Sequence, residues 1–95
     1  MILHTISTSP STTAFDDCLR VAAKGDAILL LGDAVYAALD GTDACRALQA
    51  CGASLYALLA DAVAAGVDTA MAIQTVDMDG FVALSEQFPH QHAWH

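Results

Sequence analysis

The chain is organised around one stretch, DAILLLGDAVYAALDG at residues 26–41, in which Ile28, Leu29, Leu30 and Leu31 follow one another without a polar break. A strand with one wet face alternates apolar and polar residues, so this run predicts a strand covered on both faces. Gly32 supplies a tight turn, and Asp33 can accept the first orphan N–H groups of a helix over 34–39. Gly41 is placed to stop that helix in a left-handed cap. Strand, short turn and helix make half of a parallel crossover, and parallel sheets need helices on both faces. The expectation is a three-layer α/β/α domain around a small, mostly parallel sheet.

The flanking sequence extends this plan. Residues 2–6 read as a first strand with His4 inside it, followed by the Pro-broken polar loop of residues 7–12. Thr12 or Thr13 can cap a helix in which Phe15, Cys18, Leu19 and Ala22 recur at helical spacing as the buried stripe. Lys24 and Gly25 close it. Thr42 or Asp43 opens a helix through Ala50, and residues 54–58 form a third strand. A helical turn or two over 61–65 ends at Gly66, and a weakly marked strand spans 71–76. Asp77 or Asp79 caps a last helix with Phe81, Val82, Leu84 and Phe88 as its apolar positions, and Pro89 ends it. The tail HQHAWH is expected to add an edge strand.

At 95 residues the whole chain, 1–95, reads as a single domain. Its composition is 56% hydrophobic and only 15% charged, more apolar side chain than so small a monomer buries easily, which points to subunit interfaces. No apolar run approaches a membrane span, and the start, MILHTIS, lacks the basic and cleavable parts of a signal peptide. The net charge of −8 sets eleven acids against Arg20, Lys24 and Arg46. Nucleic-acid binders need a basic footprint, so direct RNA or DNA binding is not expected. Cys18, Cys45 and Cys51 are an odd number without C-x-x-C spacing, which fits reduced thiols in the cytoplasm.

Cys18 follows the first turn of a helix that comes after a strand, near the carboxyl edge where open α/β sheets place ligands. A helix start favours a thiolate, but Asp16 and Asp17 oppose it, and the apolar stripe favours a small buried hydrophobe. Cys45 and Cys51, six apart on one helix, point in different directions and read as core filler. His90, His92 and His95 resemble a metal tract but lack a convincing further ligand, so no metal and no cofactor is expected. His4 inside an apolar strand reads as a satisfied core or interface histidine. Trp94 is expected to dock on its own domain or a neighbour, because a frayed indole would expose apolar area for no return. No phosphate-loop, dinucleotide or nucleophile-elbow motif occurs.

Together, short matches in order along the chain resemble the TusB/DsrH family of sulfur-relay subunits. They are Leu3-His4-Thr5 with Ser9-Pro10; Leu29-Leu30-Leu31 with Asp33, Ala34 and Gly41; and Tyr56-Ala57-Leu58 with Asp61 and Gly66. Val76-Asp77, Phe81-Val82, Pro89, Gln91 and Ala93-Trp94 complete the series. The resemblance implies a DsrE-like fold and a heterohexamer of two copies each of three related small subunits, the partners being of TusC/DsrF and TusD/DsrE type. In the TusBCD branch the complex passes persulfide sulfur towards 2-thiolation of the tRNA wobble uridine. In the DsrEFH branch related subunits serve dissimilatory sulfur oxidation. The principal sulfur-carrying cysteine of such complexes belongs to the TusD/DsrE-type subunit. Cys18 matches a cysteine of DsrH proteins and of some TusB proteins, whereas Cys45, Cys51 and His95 depart from the family pattern.

The reading is therefore a non-principal subunit of a cytoplasmic sulfur-transfer hetero-oligomer, favouring tRNA 2-thiolation over the DsrH-type alternative. It acts as scaffold or carries an auxiliary persulfide on Cys18, with Trp94 and His4 as interface candidates. One rival is a stand-alone flavodoxin- or receiver-like acidic binding module, which lacks the loop chemistry for flavin or phosphate. The other is a free-standing cysteine enzyme, for which only His4 offers an early base.

Overall fold

The computed structural model describes residues 1–94; His95, third histidine of the tail, lies outside the described residues. Five strands form one sheet: β1 (Ile2–Ile6), β2 (Ala27–Leu30), β3 (Ser54–Leu58), β4 (Ile73–Val76) and β5 (His90–Trp94). They lie in the order β4-β3-β2-β1-β5, and every neighbouring pair is parallel. The unbroken apolar run supplies the middle strand, all four residues of which are buried. The polar tail supplies an edge, Ile6 pairing with Trp94.

From β1 to β4 the chain steps across the sheet in one direction, so right-handed crossovers put the intervening helices on one face. These are α1 (Thr13–Val21), α2 (Asp43–Ala50) and α3 (Leu59–Ala65). Phe15, Cys18, Cys45 and Leu48 meet Ile6, Ile28 and Leu30 there in the larger core. The chain then returns past β1, and α4 (Met78–Gln87) crosses the opposite face, packing Leu84 and Phe88 on Leu3, Ala27 and Leu29. Helices on both sides of the sheet make the three-layer α/β/α arrangement.

The caps are local. Thr12 accepts a hydrogen bond from the Phe15 N–H, Thr42 from that of Cys45, and Asp77 from that of Gly80. Gly66 closes α3 with φ +71°, a left-handed conformation that side chains disfavour.

The segment after β2 differs from expectation. In place of an α-helix over 34–39 there is a 3-10 turn, Gly32–Ala38. With three residues per turn, Ala34 stacks on Ala37 and Val35 on Ala38, and all four are fully buried. Asp33 lies inside this turn and caps nothing; the carboxylate of Asp61, on α3, accepts the Gly32 N–H at 2.8 Å. Helix α1 also ends earlier than Lys24, at Val21, because the Ala23 N–H turns away to the Asp26 carboxylate.

Candidate functional site

Besides the thiols, the ionisable side chains buried in the interior among the described residues are His4 and Asp26, at 1% and 8% exposure. His4 is opposite Ile28 in the β1–β2 register, and Asp26 stands on the same face two residues before Ile28. His4 Nε2 is 3.0 Å from Asp26 Oδ2, and the Trp94 indole N–H donates to His4 Nδ1 across 3.1 Å. An indole can only donate, so Nδ1 must accept, and Nε2–H therefore donates to the carboxylate. One imidazole thus links three adjacent strands.

Asp26 also accepts the backbone N–H groups of Ile2 and Ala23. Burial alone would raise its pKa; the bonds from His4, Ile2 and Ala23 outweigh that and hold the carboxyl below its usual value. His4 is therefore a core histidine with both ring nitrogens occupied, and its own ring reaches no surface. Trp94 docks on its own domain and is only half buried, with the His92 ring 4.3 Å away between centroids.

Cys18 has no exposed surface, packed among Phe15, Ala22 and Ile28. Its thiol is pushed up to about 12, first by burial and then by Cys51 and Asp26. Asp26 precedes β2 and Cys51 precedes β3, so both act on the thiol from outside α1. A thiol so raised is almost wholly protonated at neutral pH, and the thiolate is the nucleophile. Cys45 is fully buried and accepts from Gln49 Nε2, whereas Cys51 is partly exposed. His90 and His92 are both exposed, and no group of three metal-ligating side chains forms among the described residues.

At the carboxyl edge two openings occur. One is a cleft of about 220 Å³ between Gly32, Asp33, Tyr36 and Asp61. A phosphate there would meet two carboxylates and find the Gly32 N–H already bonded to Asp61. The other is an apolar groove of about 540 Å³ between the starts of α3 and α4, lined by Leu58, Leu59, Val63 and Met78. Its signal in the sequence was the exposed pair spacing of Leu59 with Val63 and Met78 with Val82, which reads equally well as core.

A buried His4–Asp26 link, a buried thiol and an apolar opening at the carboxyl edge thus sit on a small α/β/α domain. The crystal structure of the ychN protein from E. coli has the same fold, with a TM-score of 0.72 over 98% of this chain and 97% of that one, at 11% identity.

The family model for DsrH-like protein matches residues 8–91. TusB of Sodalis glossinidius is 40% identical over 95 residues, 98% of this chain and all of the relative. TusB of Escherichia coli is 38% identical, and that of Photorhabdus laumondii 37%, with the same coverage. The chain belongs to the TusB/DsrH family.

Proposed function

We propose that this chain is a supporting subunit of a cytoplasmic sulfur-relay complex that feeds tRNA 2-thiolation at the wobble uridine. Its partners are two related small subunits of TusC and TusD type, and the principal sulfur-carrying cysteine is on the TusD-type partner. The observation that carries this reading is end-to-end similarity to proteins named TusB. The state of Cys18 supports a scaffold role over a carrier role, because a fully buried thiol pushed up to about 12 offers a persulfide donor little thiolate. The charge of −8 adds that tRNA is met through another subunit, since the chain's own field repels phosphate. The TusB relatives also favour this branch over the DsrH-type role in sulfur oxidation.

The test is replacement. In a bacterial host deleted for its own TusB, expression of this chain is expected to restore 2-thiouridine in tRNA, read by mass spectrometry of nucleosides. A chain that is present and bound to the host's other two subunits, yet leaves the uridine unthiolated, would overturn the reading.

A further inference from the structure

Two helices at the β4 side of the sheet leave apolar side chains in water. Leu59 and Val63, one turn apart on α3, are 45% and 70% exposed; Met78 and Val82, one turn apart on α4, are 59% and 52% exposed. The inner face of α4 is already satisfied by Leu84 and Phe88, so these outward residues are not needed by the chain's own core. Leu59, Val63 and Met78 converge on the 540 Å³ groove, with Asp77 on its wall.

The charge on the half of the chain that builds this groove has one sign. From residue 47 to residue 94 there is no lysine or arginine, while Asp61, Asp68, Asp77, Asp79 and Glu86 all fall there. Arg20, Lys24 and Arg46 belong to α1, the turn after it, and α2, and both arginines are paired, with Asp17 and Asp43. Asp77 lines the groove and Asp79 follows Met78 directly. The groove is thus an apolar centre with one carboxylate, Asp77, on its wall and no cation among its lining residues.

We propose that this groove docks a different protein, one that inserts an apolar ridge between α3 and α4 and flanks it with lysine or arginine. Apolar contact supplies the affinity, and the basic flanks answer Asp77 and Asp79. A second copy of this chain is disfavoured, because a two-fold contact through the same face would set identical carboxylates against each other. Nucleic acid is disfavoured on the same ground. The inference rests on the functional reading above, in which the chain works beside TusC- and TusD-type subunits, and it locates the surface one of them uses.

The experiment co-expresses the chain with those two subunits and measures recovered complex. Val63→Asp with Met78→Glu is expected to lower recovery about tenfold. Val21→Asp, a similarly exposed apolar position on α1 at 55%, should leave it unchanged. Asp79→Lys, beside Met78, should weaken assembly most at low salt. Circular dichroism of each lone variant establishes that it is folded.

Wild-type recovery by the groove double variant, or equal loss from Val21→Asp, would overturn the docking site. A discrete homodimer of the lone chain that Val63→Asp disperses would overturn the choice of a different protein. A wild-type chain that assembles with neither subunit would strike the functional reading alone. The groove is then decided by an immobilised amphipathic leucine–lysine helix peptide, which should retain wild type in a salt-sensitive way and release the double variant. Absence of wild-type retention would overturn the proposal.

Discussion

Trp94 on β5 donates its indole N–H to Nδ1 of His4 on β1, 90 residues earlier in the chain. This single bond ties the edge strand to the interior and fixes which nitrogen of the imidazole faces Asp26. Trp94→Phe keeps most of the apolar contact but leaves Nδ1 without a donor. An unsatisfied buried acceptor costs about 1–3 kcal/mol. In a domain of this size each kcal/mol lowers Tm by about 4–8 °C. Thermal melts of the two proteins read the difference, and an unchanged Tm would show that water replaces the indole freely.

Asp26 makes stability depend on pH in a defined direction. Its folded carboxyl titrates below the ordinary value of 3.8, so the unfolded chain takes up the proton first as pH falls. The stabilisation is fully present above that value and is lost as pH drops through the lower folded one. Urea titrations from pH 6 downwards should show this loss in wild type and a shallower acid limb in Asp26→Asn. Parallel profiles would mean that the carboxylate contributes nothing to acid sensitivity.

The cysteines should react in a fixed order. Cys51 is partly exposed, whereas Cys18 and Cys45 are fully buried. A thiol reagent at pH 8 is expected to label Cys51 promptly and Cys18 only when the protein opens. In the assembled complex, Cys18→Ser should leave sulfur transfer within about threefold, roughly 0.7 kcal/mol of barrier. Stoichiometric added sulfur on Cys18 after incubation with a persulfide donor, with a large loss in the mutant, would make this subunit a carrier.

Gly80 offers a test in which two effects oppose. Alanine in place of glycine ordinarily favours a helix by about 1 kcal/mol. Here a Cβ at position 80 would stand 2.9 Å from Cβ of Val76, closer than such atoms approach. The start of α4 would have to shift against β4, so Gly80→Ala is expected to destabilise. Chemical denaturation decides the sign.

Much of this architecture is written in local chemistry. The apolar run at Ile28 to Leu31 forces a doubly covered strand, and Thr12, Thr42 and Asp77 each cap the helix they precede because their bonds span three residues. The tail HQHAWH, too short for a helix after Pro89, supplies the edge strand β5. What the sequence hid was long-range. Asp61 reaches back 29 residues to hold the Gly32 N–H, at the start of a segment that winds as a 3-10 turn in which Asp33 caps nothing. The His4–Asp26 contact spans 22 residues and depends on β1 and β2 being neighbours in one register. A trace of it was present: an ionisable residue inside one buried strand and another at the start of the next. The apolar stripe of α1 already marked Cys18 as a small buried hydrophobe, while the added influence of Cys51 and Asp26 comes from other elements and was not legible locally.

The pairing of β5 with β1 sets the order in which the protein can be completed. During synthesis β1 leaves the ribosome with one neighbour, β2, soon to follow, while its other neighbour, β5, is made only after β2, β3 and β4. Until then β1 carries a bare row of backbone donors and acceptors, the template on which misdirected pairing begins. The closing step joins strands that have every other strand of the sheet between them in sequence, the kind of contact that slows folding. A nascent chain stalled before residue 90 would therefore be the form most exposed to aggregation and to chaperone capture.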